Sequence, residues 1–277
     1  MNNLVIRTLS GAIFVAIVVS GLCIHPYVFL LVFSLIVALT VWEFSGLFNQ
    51  NKNALPERLI CMLGSVYLFF STFAYVNDLS GKEIFLPYLL FLMYLFIAGL
   101  YRREANPVNN LAYTLLGQVY CAGSFSLLNF ILFTPADSGG VTFTPLFGLT
   151  LFVFVWLNDT GAYLVGSTIG KHCLFERISP KKSWEGFWGG LIIVLLSSQL
   201  FAYYVPGLSW YNWLGLSAIV VLFATLGDLA ESLLKRTLAI KDSGAIIPGH
   251  GGMLDRLDSI LMAIPAMYIY IELSTRN

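Results

Sequence analysis

The segment from Gly227 to Ser259 is dense in charge within a chain that mostly avoids charge. It holds nine of the chain's thirty acidic and basic residues, and long apolar runs flank it on both sides. Ionised groups are costly in or beside hydrocarbon and persist there mainly when they face a polar cavity, a metal or one another. The segment is therefore the first candidate for a functional site, and a solvated loop is the alternative.

The spacing of the polar residues in this segment favours two helices. If a helix continues from the preceding apolar run through Arg236, four side chains share one face at i, i+3, i+4 and i+7. They are Asp228, Glu231, Ser232 and Lys235. A second helix starting near Met253 would carry three polar side chains on one face, namely Asp255, Asp258 and Ser259.

A glycine-rich loop, KDSGAIIPGHGG at residues 241–252, joins these two predicted helices. Its glycines and Pro248 interrupt regular structure, and glycines without a β-carbon allow a backbone to approach a phosphate closely. Carboxylates on the two helices could hold Mg²⁺, which prefers oxygen ligands, while the loop contacts phosphate. The pattern therefore indicates chemistry on a phosphorylated substrate.

A second polar element lies in the sequence LFVFVWLNDTGAYLVGSTIGK, where Asn158 and Asp159 fall in the middle of an apolar run. A carboxylate there costs roughly 3 kcal/mol unless it meets a partner or water. Small residues along the same run favour close packing against a neighbouring helix; they are Gly161, Gly166 and Gly170. The pair is either part of a site or a polar contact between helices.

The sequence SPKKSWEG follows in the next loop. Ser183 is a good N-cap for a helix beginning at Trp184, with Glu185 in its first turn. Lys181 and Lys182 would then stand just before a positive helix end, where a phosphate binds readily. The alternative is that these lysines only mark the membrane boundary.

The composition is that of a polytopic membrane protein. Hydrophobic residues make up 58% of the chain and charged residues 11%, against about a quarter in soluble domains. Nine apolar runs are each near the length of about twenty residues needed to span a bilayer. They fall near residues 4–24, 27–48, 58–76, 84–101, 111–133, 145–166, 187–205, 212–227 and 258–274. The predicted fold is all-α.

The basic residues predict the orientation of these spans. With nine spans and a cytoplasmic N-terminus, thirteen of the fifteen lysines and arginines fall on the cytoplasmic side. The C-terminus is then outside, and both motif-bearing loops face the cytoplasm. The net charge of zero gives no indication of a nucleic-acid partner.

The chain divides by content into residues 1–140, a scaffold with a candidate lipid or dimer surface, and residues 141–277, a catalytic region with cytoplasmic loops 167–186 and 228–257. In the first part, Glu43 is expected to snorkel or to cap a helix end. The outer loop Thr134–Pro145 is expected to be a plain connector. The four scattered cysteines form no CxxC pair, so no disulfide or cysteine metal site is expected.

The pattern S-x-x-K-R-x4-K-D-x-G-x2-I-P-x-H-G-G-x2-D-R-x-D, from Ser232 to Asp258, resembles the hallmark of the phosphatidate cytidylyltransferases, the CDP-diacylglycerol synthases. The resemblance extends upstream to NDTGAYLVGSTIGK and SPKKSWEG and covers roughly the C-terminal 120 residues. It implies a membrane nucleotidyltransferase of phospholipid biosynthesis, embedded in the cell's inner membrane with its site facing the cytoplasm. Its partners would be CTP, phosphatidic acid and the bilayer, with no nucleic acid; a homodimer is left open.

Under this hypothesis catalysis rests on positioning and charge neutralisation. Mg²⁺ is assigned first to Asp228 and Asp255, then to Ser232, Asp258 and Asp159, and a second cation is left open. The predicted phosphate-binding residues are Lys181, Lys182, Ser183, Lys235, Arg236, Lys241 and Arg256, with the backbone of Gly251 and Gly252. The role of His250 is left open between phosphate donor, general acid and loop brace.

Two other classes of protein fit parts of the pattern. A CTP-dependent lipid kinase acting on polyprenol or phytol would release CDP instead of pyrophosphate. An ion-coupled transporter would use Asp159, Asp228 and Asp255 to carry ions, but transporters often show two related halves, and here every polar motif lies in one half.

Overall fold

The computed structural model describes residues 3–48, 55–101, 106–136, 139–205, 207–244, 246–247 and 251–275. This part of the chain is built almost entirely from α-helices. The helices are α1 (Asn3–Cys23), α2 (Pro26–Phe48), α3 (Leu55–Val76), α4 (Leu86–Tyr101), α5 (Pro107–Gly117), α6 (Ser124–Leu132), α7 (Pro145–Ile169), α8 (Trp184–Tyr204), α9 (Trp210–Thr237) and α10 (Leu254–Thr275). A 3₁₀ turn at Lys82–Phe85 precedes α4, and a π-helical turn at Gln118–Gly123 joins α5 to α6.

Nine helical stretches in the described residues are long and apolar enough to cross a membrane. They coincide with the nine predicted spans, so the all-α polytopic class is confirmed. The fifth stretch, Pro107–Leu132, is a composite of α5, the π-helical turn and α6. The length of the apolar run predicted a single span there. That length gave no indication of the change from α-helix to π-helix.

Two short β-hairpins interrupt the helices. Strand β1 (Phe133–Pro135) pairs with β2 (Val141–Phe143), and β3 (Cys173–Phe175) pairs with β4 (Ser179–Ser183), both antiparallel. The first hairpin lies where a plain connector was expected. Phe133 and Phe143 face each other across it with ring centroids 5.0 Å apart, an aromatic cross-strand pair that favours the extended conformation.

The chain forms two compact units. The first comprises residues 1–144 and 242–256. Its core is made by α2, α3 and α6 and is rich in buried aromatic rings, including Phe29, Phe33 and Phe69. The π-helical turn contributes the buried Gln118, whose amide donates to the Cys61 carbonyl at 3.1 Å. Such contacts satisfy polar groups that hydrocarbon leaves without partners.

The second unit comprises residues 145–241 and 257–277. Helices α7 and α8 approach very closely there: a β-carbon added to Gly190 would lie 2.6 Å from Oδ1 of Asn158, and one on Gly161 would lie 3.1 Å from Cα of Gly190. The close packing predicted from the glycines of this span is therefore confirmed, because glycine lets two backbones meet.

Both predicted helices of the charged segment are present. Helix α9 continues through the charged residues to Thr237, and α10 begins at Leu254, one residue after the expected start. In the second unit they meet at Gly227, where an added β-carbon would lie 2.6 Å from the Asp258 carbonyl oxygen. The charged faces of these helices are thus held by regular structure rather than by a mobile loop.

Candidate active site

A cavity of about 510 Å³ lies within the second unit. Its walls come from α7, the β3–β4 hairpin, α8, α9 and α10. The lining residues are Asn158, Asp159, Ala162, Tyr163, Gly166, Ser167, Leu174, Ser179, Lys181, Lys182, Ser183, Gly186, Phe187, Thr225, Asp228 and Ser259. Five predicted site residues from three separate stretches of the sequence therefore share one cavity.

An ion pair between Lys182 and Asp228 forms the charged centre of this cavity. The two side chains are 29% and 30% exposed, so water screens the pair only partly. Ser232, one turn further along α9, donates its hydroxyl to Oδ1 of Asp228 at 3.3 Å. The carboxylate is therefore held in a defined orientation while it still faces the cavity.

The N-terminus of α8 opens onto the same cavity. The Ser183 hydroxyl oxygen accepts from the Gly186 backbone N–H at 3.1 Å, so the predicted N-cap is confirmed. Gly166 on α7 and Gly170 just after its end lie so close that an added β-carbon would come within 3.1 and 2.6 Å of the Ser183 oxygen. The positive end of the helix dipole thus stands beside Lys182, an arrangement that favours an anion.

Glu185 fixes the β3–β4 hairpin to the first turn of α8. Its Oε2 accepts from the backbone N–H groups of Lys171 and His172 at 3.1 and 3.2 Å, and its Oε1 lies 2.6 Å from Nδ1 of His172. The Trp184 N–H adds a bond to the His172 carbonyl at 2.9 Å. These contacts hold Lys181 and Lys182, at the end of β4, close to the helix terminus.

Asn158 and Asp159 have different roles in the structure. Asn158 is 4% exposed and packs against Gly190 where α7 meets α8, so it serves helix packing as well as lining the cavity. Asp159 is exposed and lines the cavity. The sequence left open whether this pair belongs to a site or forms a polar contact between helices. In the structure, Asn158 packs between the helices, and Asp159 lines the cavity.

Helix α10 adds a third carboxylate close to the cavity. The acidic side chains of Asp228, Glu231 and Asp159 all lie within electrostatic range of Asp258. Oδ1 of Asp258 accepts from the Ser259 N–H at 2.7 Å. Acidic groups gathered in this way repel one another, and a cation relieves that repulsion.

Glu231 and Lys235 form a separate pair on α9. The Glu231 carboxylate is fully buried, and its Oε2 lies 2.5 Å from Nζ of Lys235, one helical turn away. Neither belongs to the described residues that line the cavity. The ammonium of Lys235 is thus engaged by a carboxylate within its own helix.

The remaining predicted residues lie elsewhere. Arg236 and Lys241 are exposed in the second unit, and neither is among the described residues lining the cavity. Gly251, Gly252, Asp255 and Arg256 belong to the first unit, where Arg256 is exposed. His250 falls outside the described residues.

Asp255 has well-defined partners in the glycine-rich loop. Its two oxygens accept from the Ser243 N–H at 3.0 and 3.2 Å, and Oδ2 also accepts from the Gly252 N–H at 2.9 Å. Gly251 adopts a φ of +88°, a conformation that favours glycine, and pairs with Ile247 in a β-bridge. Asp255 therefore joins the two ends of the loop.

Some cavity residues were not singled out from the sequence. Thr225 lies one turn before Asp228 on α9, and Tyr163 lies one turn after Asp159 on α7, so helical spacing from each aspartate was the available signal. Ser179 at the start of β4 had no such signal, because its position depends on the hairpin.

The fold and the cavity define a multi-pass membrane protein whose site combines carboxylates, a lysine and a helix N-terminus, groups suited to a cation and to phosphate. The chain belongs to the cytidylyltransferase family, whose model matches residues 5–274. It is 33% identical over 269 residues to the phosphatidate cytidylyltransferase of Staphylococcus aureus strain COL, covering 96% of this chain and 98% of that protein.

A second relative, the phosphatidate cytidylyltransferase of Haemophilus influenzae, is 30% identical over 279 residues, covering 94% of this chain and 95% of that protein. The protein of the same name from Staphylococcus haemolyticus is 39% identical over 162 residues, covering 57% of this chain and 61% of that protein. The family resemblance seen in the C-terminal motifs therefore extends over nearly the whole chain.

Proposed function

We propose that the protein transfers a cytidylyl group from CTP to phosphatidic acid, yielding CDP-diacylglycerol and pyrophosphate. The observation that carries this proposal is the cavity in the second unit, where Asp228 pairs with Lys182, and Asp159 and the capped N-terminus of α8 line the same walls. The names of the relatives supply the substrates. Neither the lipid-kinase nor the transporter alternative has a comparable observation in its favour.

The reaction needs no nucleophile from the protein. A phosphate oxygen of the lipid attacks the α-phosphorus of CTP, the bond from that phosphorus to the bridging oxygen breaks, and pyrophosphate leaves with the bonding electrons. The protein's task is to align the two phosphates and to neutralise the charge that they bring together. Lys182 and the backbone N–H groups at the start of α8 are placed for that task.

A divalent cation fits the donor set of the cavity. No group of three or more histidine, cysteine or acidic side chains in the described residues forms a complete metal cage. Mg²⁺ is commonly held by one or two carboxylates together with substrate phosphates and water, so such a cage is not required. When bound, Mg²⁺ would neutralise phosphate oxygens. Asp228 is our first proposed ligand; Ser232, Asp258 and Asp159 are the others near it.

The other assignments from the sequence are also part of the proposal. Asp255 is proposed as a further metal ligand, and Lys241, with the backbone of Gly251 and Gly252, as the binding site for the phosphates of CTP. Arg236 and Arg256 are exposed and chemically suited to phosphate.

The central test is an assay of the purified protein in detergent with radiolabelled CTP, phosphatidic acid and Mg²⁺. We expect label in the organic phase and an equal amount of released pyrophosphate. Release of CDP with an unlabelled, phosphorylated lipid would instead indicate a lipid kinase. The absence of lipid-borne cytidine would contradict the proposal.

Lys182 should contribute to substrate binding as well as to turnover. Because it faces both the cavity and Asp228, Lys182→Ala should raise the KM for phosphatidic acid or CTP and lower kcat, each by roughly tenfold. Steady-state kinetics with each substrate varied in turn measures both effects. Arg177→Ala, which removes an exposed cation from the same hairpin outside the cavity lining, is the matched control. Unaltered KM values for both substrates in Lys182→Ala would show that this lysine does not bind substrate and only marks the membrane boundary.

The cavity is proposed to open toward the cytoplasm, where CTP is available. In a variant whose only cysteine is the native, exposed Cys173 of β3, a membrane-impermeant thiol reagent should label inverted vesicles but not intact cells. A single cysteine at the exposed Leu79, after α3, should show the opposite pattern. Labelling of Cys173 from outside would overturn the proposed orientation.

A further inference from the structure

Glu43 is a buried carboxylate on α2 that the reaction scheme does not use. It lies within the first unit, in a helix that is apolar along nearly its whole length, and it is 5% exposed. A carboxylate so placed does not reach water as a snorkelling side chain would. Its burial is tolerated only if nearby groups stabilise the charge.

The stabilising groups belong to the glycine-rich loop and to the start of α10. Oε2 of Glu43 accepts from the backbone N–H of Leu254 at 2.9 Å, and Leu254 is the first residue of α10. The backbone amides of Met253 and Ile246 also stabilise the carboxylate. Leu254 is fully buried, so its N–H would lack a water partner without Glu43. Glu43 therefore acts as an N-terminal cap for a helix that begins 211 residues later.

The same carboxylate also determines how closely the loop can pack. The three atoms nearest to a β-carbon added to Gly244 all belong to Glu43, and Oε1 would collide with it. A β-carbon on Gly252 would lie 2.5 Å from Oε2. Gly244 is thus required by contact with Glu43, and Gly252 by contact with Glu43 and Ser243.

Asp255 binds further backbone groups of the same loop. It accepts from the N–H groups of Ser243 and Gly252, while Glu43 accepts from that of Leu254. Two carboxylates therefore bind the backbone at both ends of the loop. These contacts orient the backbone at Ser243, Gly252 and Leu254 before any ligand arrives, which is the requirement for preorganised phosphate binding.

We propose that Glu43 is a positioning residue of the enzyme: its carboxylate holds the glycine-rich loop, through Gly244, Gly252 and the N-terminus of α10, in the conformation that receives the phosphates of CTP. The inference rests on the proposed function, in which this loop binds CTP. Glu43→Gln removes the charge of this carboxylate and leaves a single acceptor oxygen, so the bond to the Leu254 N–H loses its charge assistance.

The kinetic test uses Glu43→Gln with Thr40→Val as its matched control. Thr40 is fully buried one turn earlier on α2, and its hydroxyl bonds only within that helix, to the Ile36 carbonyl, among the described residues. Glu43→Gln should lower kcat/KM for CTP by roughly tenfold to a hundredfold and leave the KM for phosphatidic acid unchanged. Thr40→Val should keep wild-type kinetics. Wild-type kcat/KM for CTP in Glu43→Gln, or an equal rise in both KM values, would overturn the proposal.

A double-mutant cycle tests the contact itself. Gly244→Ala should be severely impaired in the wild-type background because its β-carbon meets Glu43. In a Glu43→Ala background the same substitution should add little further loss, since the colliding atoms are gone. Additive losses in the cycle would show that Glu43 and Gly244 do not act together.

Hydrogen exchange separates this inference from the proposed function. In detergent, the peptide covering residues 241–256 should exchange faster in Glu43→Gln than in wild type, and peptides from α7 and α8 should be unaffected. Hydrogen exchange needs no turnover. It therefore tests whether Glu43 holds the loop even if the wild-type protein makes no CDP-diacylglycerol. Unchanged exchange in that peptide would contradict the proposal whatever the activity.

Discussion

Replacing Asp228 by asparagine should lower turnover by roughly a hundredfold or more while the protein still folds. Asparagine keeps the shape of the side chain and one oxygen that can accept from Ser232, so the packing of α9 is retained. It removes the negative charge that faces Lys182 and the cavity. The proposed cation then loses a ligand, and Lys182 loses the partner that orients it.

The measurement is kcat as a function of Mg²⁺ concentration, with size-exclusion behaviour and thermal unfolding in detergent as checks of folding. Glu176→Gln is the matched control, because Glu176 is an exposed acidic residue of the second unit outside the cavity lining. If Asp228→Asn retained more than roughly a tenth of wild-type turnover, Asp228 would not be a direct ligand of the metal.

Asp255→Asn should also lower turnover, for a different reason. The carboxylate accepts from the N–H groups of Ser243 and Gly252, and carboxylate oxygens are also the ligands that Mg²⁺ prefers. Asparagine presents an NH₂ group where an oxygen now accepts, so we expect kcat to fall by roughly tenfold to a hundredfold. The KM values should change little.

Titration with Mg²⁺ determines which function of Asp255 dominates. Partial recovery of kcat at high Mg²⁺ is the expected result, because a weakened site fills when more metal is supplied. Glu83→Gln, which removes an exposed carboxylate elsewhere in the first unit, would control for general electrostatic effects. Wild-type turnover in Asp255→Asn would remove this residue from both the metal site and the support of the loop.

The nine spans, the continuation of α9 to Thr237 and the start of α10 near Met253 were all predictable from the sequence. So was the cap of α8 by Ser183. These features depend on interactions within a few residues of chain: the length of an apolar run determines whether it can span, and a serine caps the helix that follows it. Close packing of α7 against a neighbouring helix was also predictable from its glycines, and the structure identifies that neighbour as α8.

Only the tertiary structure decided which charged groups are partners. Lys182 and Asp228 lie 46 positions apart in the sequence and were predicted as separate ligands, for phosphate and metal, yet they form one ion pair. Lys235, also predicted to bind phosphate, is instead seen beside the buried Glu231. A sequence shows that a charge is present, but its partner depends on which helix faces pack together, and hydropathy does not encode that.

The assignment of Glu43 shows the same limit most clearly. The sequence placed it near a helix end, where snorkelling or capping is common, and it could not show which helix is capped. The structure identifies that helix as α10 and explains why Gly244 and Gly252 lack side chains. Local sequence determines secondary structure and membrane insertion because those depend on short-range energies. The partners of a buried charge are determined by long-range packing, since only the folded chain brings residues 43 and 254 within hydrogen-bonding distance.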